Sequence, residues 1–348
     1  MNDSGKKKES FYIPVTIKQG EGVDQNVKVW LTVPPHAKDI VHICIPGSTY
    51  KHDYWDFPYK PEKYSYAEAL VYARISTLNL DRLGSGKSSL PPGKDVTVEV
   101  QSYVVHQLVQ ELRSGKIGNK EFKKVVLVGH SLGSGVAIEE STTYNDVDGL
   151  ILTGLLHTES FKGPYWKEVI KTIYSATKDP ELADEVPADT NYGILDYPFR
   201  LIRYVLGKMF SIDSSLILNK GYFVTRPGTR GIFHNLDRVE TRVVETDEET
   251  KSIVAWGESN PLPVLKKTPN IKVPVLCVVG GLDTVYTTPP NVLNYNNVLK
   301  EEGKYYSPEA ELEVFILPKA GHAINLDPDA HQWFQEAIEW IQRKVGMG

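Results

Sequence analysis

Short apolar runs bounded by turn residues recur at Phe11–Ile17, Val27–Val33, Ile40–Ile45, Ile75–Leu80, Val125–Gly129 and Val147–Thr153. The pattern resumes at Val273–Val279 and Leu312–Leu317. Runs of this length, rich in Val, Ile and Leu, predict β-strands. The third to the sixth show little polar alternation, the mark of strands covered on both faces of a parallel sheet. Between them, Glu62–Ala73, Asp95–Leu112 and Leu132–Ser141 place apolar residues three and four apart, as helices with one buried stripe do. A closing helix is predicted over Pro328–Val345. Strands alternating with helices predict right-handed βαβ units. The expected fold class is α/β: a mostly parallel eight-stranded sheet with helices on both faces.

From about 157 to 270 the pattern changes. Phe161–Tyr174, Phe199–Ile212 and Leu236–Trp256 read as helices between loops rich in Pro, Gly and Asp, and no buried-strand run is evident. A helical block inside a sheet protein is expected to be an insertion. The organisation expected is 1–156 and 271–348 as two parts of one core, with 157–270 as a helical cap.

Composition narrows the function classes. At roughly 150 residues per domain, 348 residues allow two domains or one large one. A net charge of −5 lacks the basic surplus of a nucleic-acid protein. Two cysteines exclude a disulfide scaffold. No stretch approaches the roughly 20 apolar residues of a membrane span, and the N-terminal residues read as a solvated tail without a signal peptide. A cytoplasmic location is expected.

Candidate chemistry sits after the fifth strand. Residues 125–135 read Val-Val-Leu-Val-Gly-His-Ser-Leu-Gly-Ser-Gly, so Gly129-x-Ser131-x-Gly133 lies between a strand and a helix. That setting is required of a nucleophile elbow. A sharp strand-to-helix turn projects the Ser131 hydroxyl from the sheet edge, and glycines two residues either side let the chains pass. The helix beyond aims its free N–H groups and positive dipole end at the site.

Here the chain resembles the α/β-hydrolase superfamily. That resemblance implies a serine, acid, histidine order, with the acid after a late strand and the histidine after the last. Asp283 follows Val273–Val279 in Gly280-Gly281-Leu282-Asp283, and His322 follows Leu312–Leu317 in Pro318-Lys319-Ala320-Gly321-His322. The roles implied are Ser131 as nucleophile, His322 as general base then acid, and Asp283 as the group that orients the imidazole. The oxyanion hole implied pairs the Leu132 N–H with one from Ile45-Pro46-Gly47-Ser48-Thr49-Tyr50. Relatives commonly carry His-Gly where this chain has Pro46-Gly47. By position Ser48 supplies the second amide, with Thr49 as the alternative. Thr49, Tyr50 and His130 are candidate pocket residues. Glu159, just after His157 and the sixth strand, is the fallback acid.

Several other features have a plain structural reading. Asp81-Arg-Leu-Gly-Ser-Gly-Lys-Ser-Ser89 mimics a phosphate loop, but Asp81 replaces its first glycine and Pro91-Pro92 breaks the helix such a loop needs. It fits instead the turn that follows the fourth strand in α/β hydrolases. The usual strand order of α/β hydrolases implies that the strands of Cys44 and Cys277 have two others between them, roughly 14 Å at about 4.8 Å per strand, too far for a disulfide. Nine histidines show no ligand spacing on one helix, so neither metal nor cofactor is expected. Tyr50, His52, Tyr54 and Trp55 form an aromatic cluster that is either pocket wall or core. Phe199, Ile202, Leu206, Met209 and Phe210 form a stripe that packs on the core or shapes an apolar pocket. The function implied is hydrolysis of an ester, lactone or thioester of a small, apolar molecule through an acyl-enzyme. A non-hydrolytic ligand-binding protein, or a lyase or acyltransferase with the same triad, are the alternatives.

Overall fold

The computed structural model describes residues 5–157, 171–186, 221–258, 262–287 and 293–346. Eight strands form the main sheet: β1 (Lys7–Val15), β2 (Gln25–Val33), β3 (Ile40–Ile45), β4 (Ser76–Leu80), β5 (Lys124–His130), β6 (Gly149–Thr153), β10 (Val275–Gly280) and β11 (Glu313–Leu317). Their order is β1-β2-β4-β3-β5-β6-β10-β11. Only β2 runs against its neighbours; the rest pair in parallel. The chain steps from β3 to β4 on one side and then to β5 on the other. The carboxyl ends of β3 and β5 thus flank a topological switch point, where open α/β sheets place their ligands.

Period-two alternation sorts the sheet residues onto two faces. Ile43, Ile45, Leu127, Leu150 and Val275 join one buried cluster with the helices α3 (Val98–Arg113) and α4 (Leu132–Tyr144). Ile40, Val126, Val128, Ile151 and Val278 join the other, under α1 (Pro61–Tyr64), α2 (Tyr66–Tyr72) and α7 (Ala330–Lys344). Cys44 and Cys277 are free, buried, and on opposite faces of the sheet. The expected α/β class, strand count and helix placement therefore hold.

Two expectations are corrected. The first strand begins at Lys7 and not Phe11, because pairing with β2 runs from Lys7↔Val33 to Val15↔Gln25. At a sheet edge the ladder, not burial, sets a strand's length. The block between β6 and β10 is not purely helical either. Its described part holds an antiparallel sheet of β7 (Ile173–Ser175), β8 (Tyr222–Thr225) and β9 (Val254–Ala255) beside α5 (Thr241–Glu249). The helix expected over Leu236–Trp256 shrinks to α5, because buried, β-branched Val254 pairs with Phe223 instead. Most of Phe161–Tyr174, and all of Phe199–Ile212 with its apolar stripe, lie outside the described residues. A further helix, α6 (Tyr295–Glu302), carries no apolar stripe in the sequence because it buries only Val298 and Glu302. No helix among the described residues is long and apolar enough to cross a membrane.

Candidate active site

At the carboxyl end of β5 the backbone reverses into α4 through Ser131, whose φ of +50° and ψ of −114° lie outside the ordinary regions. Close approach on both sides dictates the flanking glycines. A Cβ on Gly129 would lie 2.5 Å from the Gly133 carbonyl group, and one on Gly133 would lie 2.2 Å from the Ile45 oxygen. The turn is tied to β6, since Ser131 N–H and Ser134 Oγ both donate to the Thr153 carbonyl, at 2.7 and 3.0 Å. Ser131 itself remains half-buried at the mouth of the turn.

Asp283 and His322 stand on the loops after β10 and β11, and the fold joins them. His322 Nδ1 lies 2.8 Å from Asp283 Oδ2. Asp283 Oδ1 accepts from the Val285 N–H at 2.8 Å, which fixes the carboxylate plane. The acid is wholly buried, and His322 is 4% exposed, so little water competes for this bond. The His322 ring centroid stands 4.8 Å from that of His130, the residue before the serine. Among the described residues no hydrogen bond joins Ser131 Oγ to His322; such a contact is often long without substrate and tightens when substrate binds.

The loop after β3 packs onto the elbow. A Cβ on Gly47 would lie 3.2 Å from Ser131 Cβ and 2.9 Å from the His130 ring. The Tyr50 N–H donates to the Gly47 carbonyl at 3.2 Å, closing a turn whose Thr49 has φ +61°. Gly47 thus abuts the elbow, and the Leu132 N–H, first in α4, has no helical acceptor. Thr49, Tyr50 and His130 are themselves buried. His130 Nδ1 sits 3.0 Å from Thr153 Oγ1, its ring stacks on Tyr54 at 4.4 Å, and burial holds its pKa well below the usual histidine range. Tyr50, Tyr54 and Trp55 belong to the core, while His52 stacks on Trp30.

Comparison with known proteins adds family to geometry. A model of the alpha/beta hydrolase family matches residues 43–331, most of the chain. The chain belongs to the alpha/beta hydrolase family. A thermophilic esterase from Thermogutta terrifontis superposes with a TM-score of 0.57 at 16% identity, covering 96% of this chain and 98% of that one. The Pyrococcus furiosus esterase Pf2001 gives 0.57 at 14% identity over 99% and 94%. A monoacylglycerol lipase from Paleococcus ferrophilus gives 0.54 at 16% over 92% and 98%. At such identities the likeness is one of fold. No curated protein matches the chain in sequence.

Within this hydrolase fold the remaining motifs take structural places. Asp81 is buried and accepts from the N–H groups of His52 and Lys87 at 3.0 and 2.8 Å; its loop leads to no helix until Val98. His157 is held by Glu302 at 2.7 Å and stacks on Tyr305, and Glu159 lies outside the described residues. One group of metal-ligand type occurs among the described residues: His106, Glu140 and Asp146, with donor atoms within 4.8 Å of one another at the far end of α4. His106 Nδ1 already pairs with Asp146 at 2.8 Å.

Residues from the insertion reach the site unannounced by the sequence. Phe233 lies 5.7 Å from the His322 ring and its carbonyl accepts from Ala323 N–H at 2.9 Å. Arg230 is wholly buried, chelates Asp247 at 2.8 and 3.1 Å, and donates to Thr49 Oγ1 at 2.6 Å. Nothing local in Thr-Arg-Gly-Ile-Phe-His marks these roles, since the partners are far away in the chain.

Proposed function

We propose that this protein is a serine hydrolase that cleaves an ester, lactone or thioester of a small apolar molecule. Ser131 Oγ attacks the carbonyl carbon while His322 takes its proton, and the leaving oxygen or sulfur departs with that proton. Water, deprotonated by His322, then releases the acid from the acyl-serine. Asp283 keeps the imidazole in the tautomer that presents Nε2 to the serine. The Leu132 N–H and that of Ser48 receive the developing oxyanion. The observation that carries this reading is the buried His322–Asp283 pair, whose His322 ring lies 4.8 Å from that of His130, the residue before the strained, half-buried Ser131 at the β5–α4 turn. The esterases and lipase among the structural neighbours support it.

The test is labelling with a fluorophosphonate, together with turnover of p-nitrophenyl esters of graded chain length. The expected result is a covalent adduct on Ser131 and loss of turnover in Ser131→Ala. A protein that folds, takes no label and turns over no ester, lactone or thioester is a ligand-binding member of the family instead.

A further inference from the structure

The loop after β3, which reads Pro46-Gly47-Ser48-Thr49, is gripped from outside at three points. Arg82, buried after β4, donates through Nη2 to the Gly47 carbonyl at 3.3 Å and through Nη1 to Glu258 at 2.5 Å. The Ser252 N–H donates to the Thr49 carbonyl at 3.0 Å. Arg230 donates through Nη1 to Thr49 Oγ1, and its guanidinium lies 4.0 Å over the Tyr50 ring. Each arginine is locked in turn by a buried carboxylate, Glu258 for Arg82 and Asp247 for Arg230. Asp247 also holds His234 at 2.9 Å.

Four of these anchors, Arg230, Asp247, Ser252 and Glu258, come from the segment between β6 and β10. Thr49 occupies the left-handed region, where a non-glycine residue persists only if its surroundings over-determine it. Arg230 is the group best placed to do so. Its Nε and Nη2 are taken by Asp247 in a two-pronged pair, which leaves Nη1 aimed at one acceptor, the Thr49 hydroxyl. Being wholly buried, it has no surface with which to bind substrate.

We propose that Arg230 is a positioning residue for the oxyanion loop, holding Thr49 and through it the Ser48 N–H at the distance the transition state requires. The segment between β6 and β10 thus sets the catalytic geometry. This inference rests on the serine-hydrolase reading, and its test separates the two. The variants are Thr49→Val, which removes only the acceptor hydroxyl, and Arg230→Lys and Arg230→Met. Ser131→Ala and Arg238→Met serve as references; the latter breaks a different ion pair of the same segment, Arg238–Asp329 at 2.6 Å.

The readouts are kcat and KM on a p-nitrophenyl ester and the affinities of a trifluoromethyl ketone and of the product acid. The ketone forms a tetrahedral adduct that needs the oxyanion donors; the product acid does not. Misplacement by about an ångström costs on the order of 100-fold, so Thr49→Val and Arg230→Met should lose about 10- to 100-fold in kcat with KM little changed. Ketone affinity should fall in parallel with kcat, product affinity should hold, and Arg230→Lys should recover part of the loss. Arg238→Met should lower the melting temperature and leave kcat alone. Wild-type kcat and ketone affinity in Thr49→Val and Arg230→Lys, with Ser131→Ala inactive, would overturn the inference alone. Equal losses for ketone and product would also overturn it, by marking general damage. Activity in Ser131→Ala would overturn the hydrolase reading first.

Discussion

Asp283 shows how much one buried carboxylate is asked to do. Both of its oxygens are engaged, one by His322 and one by the Val285 N–H, so its orientation is fixed before any substrate arrives. Asp283→Asn keeps the size but presents an amide that favours the wrong imidazole tautomer. Turnover should fall about 10⁴-fold with the fold intact, as read by steady-state kinetics beside circular dichroism. Unchanged turnover would remove Asp283 from the mechanism and move the acid to Glu159 or elsewhere. The placement of Ser131, Asp283 and His322 on loops at one edge of the sheet was legible because each follows its strand directly, so chain order and spatial order coincide there. Arg230 was not, because it meets Thr49 across 181 positions and no periodicity reports such a contact.

At the scale of elements, the site depends on how closely α4 approaches the end of β3. The Gly133 position stands against backbone on both counts, with a Cβ 2.2 Å from the Ile45 oxygen and 2.7 Å from that of Pro46. Backbone cannot swing aside as a side chain does. Gly133→Ala should therefore push the helix off the strand, costing about 1–3 kcal/mol and displacing the Leu132 N–H. Gly22→Ala, where a Cβ meets nothing within 4 Å, is the matched reference. Urea unfolding and ester turnover check both. A Gly133→Ala protein as stable and active as the reference would mean that α4 tolerates a shift this packing forbids. The core elements were readable for a related reason: a strand buried on both faces must be apolar throughout, and a helix on a sheet must carry a stripe. The insertion obeys neither constraint as strictly. Its β7 and β9 have three and two residues, too few for a pattern to emerge.

Across the whole molecule, the two-faced sheet leaves ionisable groups with no water on either side, and their sum shapes stability against pH. His42 on β3 faces the α2–α7 side, wholly buried, with Nδ1 3.0 Å from the Tyr66 hydroxyl. Burial lowers its pKa from 6.5 to about 3. The folded protein therefore keeps His42 neutral while the unfolded chain takes up a proton below pH 6.5. Its contribution is complete above 6.5 and is lost progressively as pH falls toward 3, by about 1.4 kcal/mol per pH unit. His130, also held low by burial, acts with the same sign. Glu258 opposes them: burial pushes its carboxyl up from 4.5 to about 7, so its contribution is lost as pH rises across that range. The wild-type curve mixes these terms, but a difference isolates one. His42→Gln cannot titrate and retains a polar partner for Tyr66. The stability gap between wild type and His42→Gln should be constant above pH 6.5 and shift toward the variant by about 1.4 kcal/mol for each unit below it. Chemical denaturation at a series of pH values measures the gap. Parallel curves through the acid range would mean that His42 is protonated in the fold, and that the sheet admits water or a counter-charge at its centre.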